Sequence, residues 1–174
     1  MHKTRYFGPA WGLIGFTALI VSALYRLLPH VADAFTAGIT PLQWLVVLVW
    51  SAVMVYSEGY KGFQKQFSPR FAARAFHLSQ LPSLLPQLLA PLYCVGYIYA
   101  PKKRKIVSWS LTTGVVLLII IVRLVPQPWR GIIDTGVILG LAYGIVSVYY
   151  YVVRTFADGG TPTDPELGSS DSRR

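Results

Sequence analysis

Arg26, Asp33, Arg123, Arg130 and Asp134 are the residues of this chain best placed to do chemistry. Each lies in or beside an apolar stretch, where an ionisable group needs a partner and is a default candidate for function. Asp134 falls about one turn inside the apolar run 132–153, and Arg123 about one turn before the end of the run 107–125. Pro126-Gln127-Pro128 joins the two runs tightly, so the charges are expected to meet. Arg130 precedes Asp134 by four residues, on the same face if the helix has begun. Arg26 and Asp33 occupy the corresponding corner of an earlier hairpin. Such a cluster could hold an anion or pass a proton at the outer face. The plainer expectation is an ion-pair cluster fixing the helix ends, because Arg near a helix end can snorkel to the interface.

A second constellation surrounds Glu58, in Tyr56-Ser57-Glu58-Gly59-Tyr60-Lys61-Gly62. Glu58, Lys61 and Arg74 could surround a phospholipid head group or a small substrate. Pairing of Glu58 with Lys61 at the interface is the expected arrangement. The wider basic set, Lys61, Lys65, Arg70, Arg74, His77, Lys102, Lys103, Arg104 and Lys105, fits contact with anionic phospholipid head groups. No GxSxG, HExxH, Walker A or dinucleotide loop is present, so no catalytic residue is assigned and the sequence leans away from an enzyme. The three histidines are far apart in sequence, and Cys94 is the lone cysteine. Neither a metal nor a cofactor is expected.

The elements carrying these residues are membrane helices by composition. Of the 174 residues, 53% are hydrophobic and 13% charged, where a soluble domain carries about 25% charged residues. The net charge of +9 would suggest nucleic acid on a soluble protein. Here the cations flank apolar runs, as they do at lipid head groups, and no nucleic-acid partner is expected. The predicted fold is all-α: a polytopic transmembrane helical bundle forming a single domain over 1–156. Its spans are about 8–28, 41–57, 107–125 and 132–153. The first is read as an uncleaved span rather than a signal peptide.

The stretch 84–100 is apolar but carries Pro86 and Pro91, with Pro82 before it and Pro101 closing it. Each proline removes a backbone donor and disfavours helix just before it. If 84–100 crossed, the four cations of 61–74 and the four of 102–105 would lie on opposite sides. If it is re-entrant or interfacial, thirteen of the sixteen cations share one side. Positive residues concentrate in cytoplasmic loops, which favours four spans in a plasma or inner membrane with both termini cytoplasmic. Five spans, with the C-terminus outside, is the alternative.

Ser68-Pro69 reads as a helix start. Phe71, Ala72, Ala75, Phe76 and Leu78 fall opposite Arg70, Arg74 and His77, the pattern of an amphipathic interfacial helix over 69–80. Residues 157–174 are expected to form a disordered cytoplasmic tail. Gly136, Gly140 and Gly144 form a double GxxxG on one face, a surface for close helix packing. Ala10, Trp11, Gly12 and Gly15 make the first span its expected partner, and a second copy is an alternative. Arg26-Leu-Leu-Pro29 and Arg123-Leu-Val-Pro126, followed by Gly38-Ile39 and Gly131-Ile132, further suggest two duplicated hairpins. The functional expectation is an accessory, assembly or structural subunit acting through helix packing and lipid contact, alone, as a homo-oligomer or beside a partner membrane protein. A small transporter or channel of two repeated hairpins is one alternative. A lipid-modifying enzyme using Glu58 is the other.

Overall fold

The computed structural model describes residues 6–81 and 83–166, apart from the side chains of Arg104 and Leu111. Every regular element among the described residues is helical. Four helices are long and apolar enough to cross a membrane: Phe7–Thr36, Pro41–Leu78, Lys105–Arg123 and Trp129–Asp158.

α1 (Phe7–Thr36) continues past Arg26 and through Pro29, beyond the expected end at 28, until Gly38 turns the chain with φ +85°. Thr40 then opens α2 (Pro41–Met54) with a capping box. Its hydroxyl accepts from the Gln43 N–H at 3.3 Å, and the Gln43 side-chain oxygen accepts from the Thr40 N–H at 2.9 Å. Two orphan donors are thereby satisfied, and Pro41 stands where its missing N–H costs nothing.

The chain does not stop at Ser57. It widens into a π-helical stretch, Val55–Phe67, and continues as α3 (Ser68–Leu78). Ser68 therefore does not cap a helix start. The Ser147 hydroxyl donates to its hydroxyl at 2.9 Å, which ties α3 to α7 instead. Pro69 lacks the N–H that a continuing helix would use, and the change from π to α turns falls there.

α4 (Leu84–Leu88) and α5 (Ala90–Val95) fill the proline-rich stretch. At five and six residues neither can cross a bilayer, which needs about 20. Both lie along the first third of α1: a Cβ on Gly8 would meet Gln87, one on Gly12 would meet Cys94, and one on Gly15 would meet Pro91. The Trp11 indole N–H donates to the Leu88 carbonyl at 3.1 Å. The segment thus lies along α1 from Gly8 to Gly15, roughly 11 Å of helix, before Gly96 turns it with φ +95°. α6 (Lys102–Arg123) and α7 (Trp129–Asp158) complete the fold.

α7 is the centre of the bundle. α1 runs antiparallel on one side, with Ala34 at Gly131 and Tyr6 near Phe156. The long helix of α2, the π stretch and α3 runs parallel on the other, from Trp50 at Ile133 to Ser68 at Ser147. Between those two contacts it uses four more residues than α7 does; wider π turns, which advance less per residue, account for the excess. Phe16, Ile20, Phe71, Leu78, Tyr93, Cys94 and Val148 form the buried core where α1, α3, α5 and α7 meet. α6 stands apart. It touches Tyr97 through Trp109 and Thr112, but its side chains from Val115 to Ile121 are all exposed.

Candidate functional site

The most developed polar arrangement is on α3, where Arg70 and Arg74 lie one turn apart. Arg74 is 2% exposed. Its Nη1 donates to the carbonyls of Tyr93 at 2.7 Å and Ile98 at 3.3 Å. Its Nε donates to the Pro165 carbonyl at 3.0 Å and its Nη2 to the Glu166 carbonyl at 2.8 Å. The guanidinium also lies 5.5 Å from the centre of the Tyr93 ring. Arg70 Nε pairs with the Glu166 carboxylate at 3.3 Å. His77 Nδ1 shares a 3.0 Å hydrogen bond with the Tyr93 hydroxyl. These bonds hold a buried cation by engaging its planar donor fork on both sides.

Here the structure departs from the expected interfacial helix. Phe71, Ala72, Ala75 and Leu78 are buried as the apolar face requires, but so are Ala73 and Arg74. The basic face is covered by the 93–98 turn and by residues 165–166. Helical periodicity registers which residues share a face; it does not register a cover supplied from about 20 and 90 positions away. The C-terminal stretch differs likewise. α7 runs through Asp158, and the segment after it returns to α3, whereas disorder was expected from 157. Residues 167–174 of that expectation, like Lys3 and Arg5, lie outside the described residues.

The remaining basic residues do not converge on a pocket. Lys61 lies over the Tyr56 ring at 4.9 Å and Lys65 over the Tyr60 ring at 5.1 Å. Lys102, Lys103 and Lys105 are exposed at the start of α6. The expected Glu58–Lys61 pair does not form, because each side chain faces a different neighbour. Glu58, half-buried, lies against Gly140 of α7, its carboxylate 3.6 Å from where a Cβ would stand. The Tyr143 hydroxyl donates to Gln64 nearby.

Gly136, Gly140 and Gly144 are all buried, as a packing stripe requires. Their partner is not the first span. Trp50 lies at Gly136, Glu58 at Gly140 and Phe63 at Gly144. Gly12 and Gly15, the expected partners, receive α5 instead. Large side chains of the second helix, Trp50 and Phe63, fill the glycine gaps of α7.

The cluster expected around Asp134 assembles in part. Arg130 Nε and Asp134 Oδ2 are 3.9 Å apart, a long ion pair, with Asp134 3% exposed. Neither atom makes a hydrogen bond. Arg130 Nη2 is 2.6 Å from His30 Nε2, and the His30 carbonyl accepts from Gln127 at 3.1 Å. Arg123, Arg26 and Asp33 do not join. They are exposed and form no ion pair among the described residues, because α6 leans away from α7 and α1 runs on past its expected corner.

Cys94 is buried against Gly12. Burial pushes its thiol up to about 12 despite the opposing charge of Arg74, so it is no nucleophile near neutral pH. No group of metal-ligating side chains large enough to hold an ion occurs among the described residues. Sequence reasoning missed Tyr93, Pro165 and Glu166 around Arg74, and His30 and Gln127 near Arg130. The Pro-Gln-Pro turn could have drawn attention to Gln127; nothing local marks Glu166. What the geometry supports chemically is recognition of an anion by two arginines, rather than bond making. No protein-family model, curated protein or solved structure matches the chain.

Proposed function

We propose that the chain is an integral protein of an inner or plasma membrane. It crosses four times with both termini cytoplasmic, and it serves as an accessory or structural subunit through helix packing and lipid contact. The observation that carries this reading is the contrast between α6 and the other long helices. α1, the α2–α3 helix and α7 close on one another, and their buried polar groups are turned toward neighbours within the chain. α6 leaves an apolar surface from Val115 to Ile121 open to lipid and to a neighbouring membrane segment. Without a hydrophobic driving force in lipid, such a segment would be held by close packing and specific contacts.

The other readings draw less support. Arg26, Asp33 and Arg123 stand apart rather than lining a path. Glu58 faces a glycine, and the open cleft of about 560 Å³ lies elsewhere, between Tyr151 and Thr163. A photo-reactive residue at Leu117, in the full chain in its native membrane, tests the subunit reading. The expected result is one discrete protein adduct from Leu117 and none from a control position, Leu45 on α2. Lipid adducts alone from both positions would contradict it.

A further inference from the structure

Arg74 presents its donors in two sets. Nη1 is committed to the carbonyls of Tyr93 and Ile98, contacts internal to the bundle. The Nε and Nη2 edge points the other way and is bonded to the carbonyls of Pro165 and Glu166. That edge is the one with which an arginine receives two oxygens of one anion side by side. Arg70, one turn earlier, adds its own charge through Nε, 3.3 Å from the Glu166 carboxylate. Arg70 Nη1 is buried and has no hydrogen-bond partner. The present cover therefore leaves at least one donor of the pair unused.

The cover is joined to α7 through two glycines. It follows Gly159, which ends α7 with φ +65°, and the exposed Gly160. It arches over the cleft of about 560 Å³ lined by Tyr151, Arg154 and Thr161. Glu166 is held at φ +48°, a left-handed conformation costly for a residue with a side chain, and the Asp164 carboxylate accepts its N–H at 2.8 Å. Strain of this kind lowers the work needed to release the segment.

We propose that the Arg70–Arg74 fork is a binding site for a phosphoryl group, and that Pro165–Glu166 is an internal stand-in that an anionic ligand displaces. Two phosphoryl oxygens take the Nε and Nη2 donors of Arg74, and a third takes Arg70, including the Nη1 that the stand-in leaves idle. The Nη1 bonds to Tyr93 and Ile98 keep Arg74 oriented while the cover is away. The phosphoryl group belongs either to a lipid head group or to a soluble phosphate. The site does not depend on the proposed subunit role, and it would stand if no partner were found on α6.

The test uses the full chain in detergent, titrated with short-chain phosphatidic acid and, separately, with inorganic phosphate. Glu166→Gln removes the competing carboxylate and is expected to tighten binding by about tenfold, while Arg70→Gln, at a half-exposed position, weakens it by about tenfold with an unchanged melting temperature. A spin label at Thr163 becomes more mobile as ligand is added. Phosphatidic acid acting alone identifies a lipid head group, and both ligands acting equally identifies a free phosphoryl anion. Equal affinities in wild type, Glu166→Gln and Arg70→Gln, or no binding of either ligand, overturns the proposal.

Discussion

Two ionisable side chains are buried at opposite ends of the bundle, and they are held in different ways. Arg74, at the end where α3 and α5 meet, spreads its charge over four carbonyls from two separate parts of the chain. Asp134, at the other end, faces Arg130 across 3.9 Å, and its Oδ2 accepts no hydrogen bond. The first arrangement is a clamp: remove the cation and four acceptors from two segments lose their donor together. The second is a loose pair within one turn of one helix, and Arg130 is already shared with His30. Burial alone does not tell how much a charge contributes; the number and origin of its partners does.

The comparison predicts its own ranking. Arg74→Met should have the largest effect, a loss on the order of 3 kcal/mol with loosening of the 93–98 turn, read as a lowered melting temperature in detergent. A loss no greater than that of Asp134→Asn would remove the distinction between the two ends. Next come the glycines of α7. A Cβ at Gly136 or Gly144 would meet Trp50 at 2.5 Å or Phe63 at 2.6 Å, whereas at Gly140 the nearest atom is 3.4 Å away. Gly136→Ala and Gly144→Ala should each cost about 1–3 kcal/mol through overpacking, and Gly140→Ala much less, in the same melting assay. Equal costs at all three would mean that the second helix is not seated as described.

Asp134→Asn should shift stability by less than about 1 kcal/mol, since a neutral group can replace a poorly bonded buried charge at little loss. Arg154→Ala, which breaks an exposed pair with Asp158, should leave the melting temperature unchanged. Cys94 sharpens the contrast from another direction. With its thiol pushed up to about 12, it remains protonated through the neutral and mildly alkaline range. It should therefore resist maleimide at pH 7–9 until the protein is denatured; rapid labelling of the folded chain would mean that α5 does not sit on Gly12.

Much of the scaffold was legible because it follows from solvation. Long uncharged runs such as Val107–Val122 have few alternatives to a helix, and prolines 86 and 91 break their stretch into pieces too short to cross. The spacing of Gly136, Gly140 and Gly144 put them on one face of α7, and all three are buried. Its partner was illegible, because a glycine gap specifies closeness and not which helix brings the large side chain. Arg130 and Asp134 were readable as neighbours since four residues of helix suffice to join them. Arg123 was drawn into the same cluster by an assumption that adjacent helices pack, and α6 does not follow it. The burial of Arg74 was unreadable because its cover comes from distant segments that carry no periodic signal. The π stretch was also unreadable: no periodic signal marks where the helix widens and continues, and Gly59 makes room for Tyr143.

The proposed four crossings require the proline-broken segment to turn back instead of crossing, with α3 and the start of α6 on one side. Single cysteines at Lys65 and Lys103, in a Cys94→Ala background and in sealed, oriented vesicles, test this directly with a membrane-impermeant thiol reagent. Labelling of both positions from the same face is the predicted result. Labelling from opposite faces would contradict the proposed four crossings and, with them, the proposed cytoplasmic side of both termini.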